Sequence, residues 1–468
     1  MHEFKFVSAA FKVMKKKLTV TENIREYILE LLENGKIRKG GQIPPARKIA
    51  LKKGVSFIKV QHAIDSLCFD GILETVPRRG TFVKESWDSQ RLRNSIFIQG
   101  LEMKKLIGLD KIIKEEISEL RINKNNVMGD FEINVTLNMQ TKHNEYMDLS
   151  EIFDELYPDK SIFYMKPFDH FIKGKKLYAI PLLCSPRVIS FNIDMLKNAG
   201  CDVPDKNWTW DDFLALVKKL KTKYNPENIY THYPFMGLNM LMAFIFRAGG
   251  GFLDERGNVI ISSEKSRRGL LLYKSLLKEL DYKSYDNRKD FMDGALVFSF
   301  SPRQEFMPRV NELKFQWGNV PLPRIPGGTP LTVQTTEGLC VHKSCSDLKL
   351  VKRVVKVMLS EKFQNCLAKG KYGIPIRKDV AERSIADCID PRDKLFFDEI
   401  PNMSVGYSIE SPEIHRWLHK GLNSLLLKDD AEFDRDLDAL AVFLKKYIEM
   451  TSMEKRFKKK RKESYRQK

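Results

Sequence analysis

GGQIPPARKIALKKGVSFIKVQHAIDSLCFDGILETVPRRGTFV, residues 40–83, decides the fold of the first part of the chain. Pro44-Pro45 suits the entrance of a helix, where backbone N–H groups lack intrahelical partners anyway. A short helix over Arg47–Lys52 follows, with Ile49 and Ala50 facing inward. Gly54 stops it, since glycine accepts the left-handed conformation that ends a helix. Ser56 is placed to N-cap a second helix. There Val60, Ala63, Ile64, Leu67 and Cys68 fall on one stripe at helical spacing, while Ile58, Lys59, Gln61, His62 and Asp65 point the other way. Gly71 closes that helix, and ILETV and GTFV form two β-prone runs joined by Pro77-Arg78-Arg79. A polar-faced second helix followed by a basic hairpin suits a DNA major groove and its adjacent phosphates. The same surface could serve protein contact, with the polar residues merely solvated.

Upstream, Thr19 and Glu22 stand at capping-box spacing, and Ile24, Tyr27, Ile28, Leu31 and Leu32 make a core-facing stripe that Gly35 ends. The whole segment resembles the winged helix-turn-helix of GntR-type bacterial repressors. That family reads L-P-S-E-R-x-L-A, V-S-R-x-T-V-R and G-x-G-T-F-V. Here these stand as Ile43–Ala50, Val55–Gln61 and Arg78–Val83. The resemblance implies DNA-contact roles for Arg47, Ser56, Lys59, Gln61, Arg79 and Gly80; His62 and Arg78 join them from their place on the polar face and in the basic turn. The family's two recognition-helix arginines fall at Phe57 and Gln61, so the base sequence read should differ from that of an arginine-bearing relative.

A length of 468 residues allows two or three domains. The net charge of +19 is unevenly spread: residues 1–93 carry +9, residues 455–468 carry +8, and the 361 between hold only +2. Positive charge at the DNA-binding element and the far tail suits a nucleic-acid partner. Seven scattered cysteines without a C-x-x-C pair argue for reduced thiols and a cytoplasmic protein. No apolar run approaches the ~20 residues of a membrane span. Residues 1–17 lack a signal-peptide pattern, and Met14 is an alternative start.

Residues 85–95 are polar and aperiodic, and are expected to be a linker. From residue 96, β-prone runs alternate with helical segments, which predicts an α/β layered domain. Within it, residues 174–220 resemble the family 1 extracellular solute-binding proteins, two-lobed receptors of ABC importers. The matching pieces are Tyr178–Pro181, Phe191-Asn192, Leu196–Gly200, Pro204 and Trp208–Phe213, followed by Phe246–Phe252, Phe291–Phe298, Gly318–Gly327 and Gly370–Asp379. Between 100 and 170 the family's second strand and aspartate-ending motif are missing, so a shortened or remodelled first lobe is expected. The resemblance implies a ligand cleft with candidates Ser185, Arg187, Phe235, Ser301, Trp317, Glu337 and Tyr372; each aromatic among them could equally be core. Trp208 and Trp210 are expected to be structural. His143, His170, His232 and His342 show no metal-ligand spacing.

The expected organisation is multidomain: an N-terminal extension (1–17), a winged helix-turn-helix, mostly α with a β-hairpin wing (18–84), a linker (85–95), a two-lobed α/β periplasmic-binding-protein-like sensor (96–452) and a basic disordered tail (453–468). The expected partners are double-stranded operator DNA, a small-molecule effector of sugar type and a second copy in a homodimer, with no membrane, metal or cofactor. No nucleophile elbow, P-loop, Rossmann fingerprint or pyridoxal-phosphate lysine motif occurs, so no catalytic residue is assigned. The alternative is an importer's solute-binding protein with an atypical N-terminus.

Overall fold

The computed structural model describes residues 19–87, 90–99, 108–123, 128–230, 239–254, 256–280, 291–386, 390–404 and 412–466. The chain divides into two compact units. Unit 1 holds Met1–Asn134, Glu145–Pro158 and Leu339–Cys366; unit 2 holds Val135–Asn144, Asp159–Gly338 and Leu367–Lys468.

Unit 1 begins with helices α1 (Val20–Glu33), α2 (Ala46–Lys53) and α3 (Phe57–Phe69), then strands β1 (Leu73–Val76) and β2 (Gly80–Val83). Thr19 caps α1 through a reciprocal box with Glu22. Gly54 ends α2 in the left-handed region at φ 64°, and Ser56 caps α3 by accepting from the Lys59 amide. Ile28, Leu29, Val60, Ala63 and Leu67 are fully buried between these helices, the Ile, Leu and Val side chains contributing about 1.5–3 kcal/mol each. β1 and β2 pair antiparallel, Leu73 opposite Val83. Residues 40–43 line the other side of β2: the Ile43 amide donates to Thr81 O and the Val83 amide to Gly41 O.

The expected linker 85–95 is anchored along its described residues. Trp87 and Leu92 lie in the winged-helix core. The Arg91 guanidinium bonds Glu132 at 2.5 Å. Strand β3 (Leu92–Ile98) already starts at Leu92, because the hydrophobic run Ile96–Ile98 extends backward once Leu92 has a core to enter. β3 runs parallel to β4 (Arg121–Ile122) on one side and β5 (Gly129–Val135) on the other. Helix α4 (Leu109–Glu116) is one of the helical segments that alternate with the β-prone runs. The tail of unit 1 returns at residue 339: the Met147 amide donates to Val341 O, and the His342 amide to Asp130 O. Arg121, with 8% of its side chain exposed, pairs with Glu26 and Glu33 of α1 and so ties the winged helix to β4.

Unit 2 is built on β6 (Ile180–Asn192), buried at every residue. The sequence suggests one strand around Lys175–Ile180 and another at Arg187–Asn192; only the second, and Ile180 of the first, belong to this strand. β7 (Phe298–Pro302), β8 (Trp317–Val320) and β10 (Ile374–Pro375) all pair antiparallel with β6, at Arg187–Phe191, Ile189–Asn192 and Leu183–Cys184 respectively. β9 (Gln334–Val341) starts beside it, the Arg187 amide donating to Val333 O. Helices α5 (Trp210–Leu220), α6 (Asn239–Arg247) and α7 (Glu264–Glu279) pack a large aromatic core that includes Trp208 and Trp210. Both tryptophans are structural, as expected; the Trp208 indole donates to Pro321 O. After α8 (Pro391–Asp398), α9 (Pro412–Leu426) lies against α10 (Asp430–Arg466). The tail expected to be disordered is helical through Arg466, as its Lys, Arg and Glu content permits.

Candidate functional site

The first candidate site is the outer face of α3 and the wing. Arg47, Ser56, Lys59, His62, Arg78 and Arg79 are all exposed, and Gln61 is half-buried. The fold therefore gathers the expected DNA-contact set within one domain, at the exposed sides of α2, α3 and the wing. The details differ by residue. Ser56 spends its oxygen lone pair on the Lys59 amide, and Gln61 donates its side-chain N–H to Asp65 Oδ1 at 2.9 Å. Arg78 sits at φ 62°, a left-handed position at the tip of the wing. Gly80 has φ 115°, and a Cβ there would collide with Gln42 Nε2, whose amide bonds Arg79 O. Gly80 thus has a conformational reason of its own: it lets residues 40–43 close on the wing. Phe57 and Ile58, at 46% and 62% exposure, stand at the N-terminal end of α3, where recognition helices meet base edges. Lys52 and Lys53 cover the Tyr27 ring, Lys53 at 3.8 Å.

The second candidate site lies in unit 2. Arg303 and Asp393 form a buried bidentate pair at 2.6 and 2.7 Å. Arg303 also donates to Gly373 O, and its amide donates to Ser185 Oγ. This network fixes the turn after β7 against the loop before β10. Beside it Tyr372 bonds Glu337, and burial pushes the Glu337 carboxyl up to about 8, the Tyr372 hydrogen bond opposing the shift. Glu337 Oε2, Gln304 Oε1 and Gln334 Nε2 are buried with no hydrogen-bond partner among the described residues. Burying such groups is costly unless something bonds them.

Of the ligand candidates, Glu337 and Tyr372 come together. Ser185 is turned to an internal bond, accepting from the Arg303 amide; Arg187 donates through Nη1 to Phe300 O at 3.0 Å, while its Nε is buried with no hydrogen-bond partner among the described residues. Trp317 packs in the core, edge-on to Phe306 at 4.6 Å and under the Arg392 guanidinium at 3.9 Å. Ser301 lies in β7 opposite Val188. Phe235 lies outside the described residues. Gln334 was not singled out from the sequence; its only signal is a polar residue at a fully buried strand position.

Residues 20–83 match the family of bacterial regulatory proteins, gntR family, and residues 135–365 match bacterial extracellular solute-binding protein. This chain joins a gntR-type winged helix-turn-helix to a solute-binding-protein fold. The fold is that of the solved solute-binding proteins. One from Thermotoga lettingae, bound with alpha-D-tagatose, is 16% identical over 76% of this chain and 99% of its own, with a TM-score of 0.64. An ABC substrate-binding protein from Listeria monocytogenes in complex with cycloalternan is 15% identical over 76% and 99%, with a TM-score of 0.62. A probable ABC transporter-binding protein of Deinococcus radiodurans is 27% identical over 114 residues, which span 22% of this chain and 26% of that relative. The chain thus aligns with about a quarter of the length of this relative. The gntR-type and solute-binding families are regulatory and binding families, not enzyme families. Among the described residues, no helix is long and apolar enough to cross a membrane.

Proposed function

We propose that this chain is a ligand-responsive transcription regulator. The gntR-type domain reads an operator through α3 and grips phosphates through Arg47, Arg78 and Arg79. The solute-binding-type domain senses a small hydroxylated molecule, of carbohydrate class, with Glu337 and Tyr372 among the groups that hold it. The protein works in the cytoplasm as a homodimer on a two-fold operator, as helix-turn-helix dimers do. The observation that carries the reading is the packing of the winged helix with β3, β4 and β5 in one unit, tied by Arg121 and by Trp87 and Leu92. A DNA-binding element built into the first part of the binding fold has no use in a transport receptor. The sugar class is supported by relatives bound with tagatose and cycloalternan, and by buried polar atoms that suit a polyhydroxylated ligand.

The test is linkage. A ligand that favours one state of the protein changes operator affinity by typically ~1–3 kcal/mol, about 5–150-fold, and operator DNA changes the ligand's dissociation constant by the same factor. The operator is first selected from random duplexes, and a sugar library is screened by thermal shift. Calorimetry of the best sugar, with and without saturating operator at fixed salt, then gives both constants. Identical constants would refute a regulator and return the importer reading.

A further inference from the structure

A second cavity in unit 2 has no part in either site described above. It measures about 370 Å³ and lies between the Pro321–Pro330 segment, the end of α6 and the turn after α8, within the range of small-molecule pockets. Three cationic side chains line it, Lys206, Arg247 and Arg324, against one carboxylate, Glu399. Arg247 is only 5% exposed. It donates to Leu322 O at 2.7 Å and weakly to Thr329 O at 3.4 Å, while its Nε is buried without a hydrogen-bond partner among the described residues. Glu399 acts on Arg247 only through space, with no ion-pair contact between them among the described residues. Glu399, itself buried, is bonded by Asn402 at 3.2 Å. Arg324 stands at the exposed rim, donating to Asn207.

A buried guanidinium with carbonyl partners but no carboxylate in ion-pair contact is an incomplete arrangement. Burial holds the Arg247 guanidinium down to about 10, with Glu399 opposing the shift. We propose that this cavity binds a phosphate group, free or as the monoester of a small hydroxylated compound. Arg247 and Arg324 supply planar forks for its oxygens and Lys206 a mobile point charge. Glu399 and Asn402, on the same wall, accept and donate to hydroxyls of the esterified part. The excess of positive over negative side chains favours a dianion over a neutral sugar, so this site and the one at Glu337 take different chemistry. The proposal stands independently of the regulator reading.

Calorimetry on the full chain, at fixed ionic strength, uses inorganic phosphate and glucose 6-phosphate as probes. One saturable site is expected for phosphate, and tighter binding of the sugar ester identifies the esterified form as the better occupant. Arg324→Gln, at the rim where folding is not at stake, should weaken binding by about 10- to 100-fold, the scale of a charge-assisted hydrogen bond. Arg79→Ala, on the wing, should leave it unchanged. Two results overturn the proposal. One is no saturable heat with either probe. The other is binding that survives Arg324→Gln but falls with Arg79→Ala, which puts the phosphate on the DNA-contacting wing.

Discussion

Replacing Arg121 by methionine isolates the joint between the gntR-type domain and the strands it packs on. Arg121 reaches from β4 to two carboxylates of α1, bonding Glu33 at 2.5 Å. The Glu33 side chain has no exposure, and burial pushes the Glu26 carboxyl up even with Arg121 beside it. Taking away the cation breaks a buried ion cluster at its centre, since Arg121 bridges Glu26 and Glu33, which costs about 3–5 kcal/mol. The loss appears as opening of the joint, roughly two to three and a half powers of ten in its equilibrium. A single melting temperature would blur this, because a chain of two units need not unfold in one step. Native-state hydrogen exchange of the α1 amides resolves it: Arg121→Met should speed exchange there, and Arg121→Met with Glu26→Met and Glu33→Leu should restore much of the protection, since apolar replacement of a whole buried ion cluster is often neutral. Unchanged protection in α1 of the single variant would refute the reasoning, and with it the claim that the winged helix is rigidly seated.

On the DNA face, Arg79→Ala should weaken operator and random DNA alike and lower the salt slope by about one. Phe57→Ala should cost ~1–3 kcal/mol on the operator and little on random DNA, because an exposed aromatic at that end of α3 is placed to meet a thymine methyl; competition binding over a salt series measures both. In unit 2, the folded Glu337 carboxyl stands near 8, above its ordinary value of 4.5. The folded state therefore holds the proton over that range, its stability being full below about pH 4.5 and declining as pH rises to 8. Denaturant titrations across this window should show the decline in the native chain and a flatter profile for Glu337→Gln; equal slopes would remove the carboxyl from the account.

The winged helix was legible in the sequence because each of its elements is punctuated locally. Thr19, Gly54, Ser56 and Gly71 each stop or start an element with their own side chain or lack of one, and the stripe Val60–Leu67 needs nothing distant to explain it. The anchoring at Trp87 and Leu92 was not legible: they become core residues only once α1 and α3 are beside them. The stretch 181–186 of β6 was not legible as strand for a similar reason, since a strand buried on both faces shows no alternation. The ligand candidates fared by neighbourhood. Glu337 and Tyr372 meet across some thirty-five residues of chain, whereas Trp317, equally plausible as an aromatic platform, is taken up by Phe306 and Arg392. The cavity around Arg247 assembles from four separated stretches and leaves no motif in any of them.

The division of the chain also sets an order of events during synthesis. Unit 1 needs residues 339–366, yet its earlier pieces end at Pro158. At ~5–20 residues per second, the ribosome takes roughly 10–40 s to add the stretch in between. Through that interval the gntR-type domain can already be folded, its helices and wing complete by Val83. The Asp130 carbonyl on β5, however, waits for the amide of His342. A newborn chain therefore carries a finished DNA-binding head on an unfinished strand edge, and it is this edge, not the head, that a nascent-chain chaperone would have to shield.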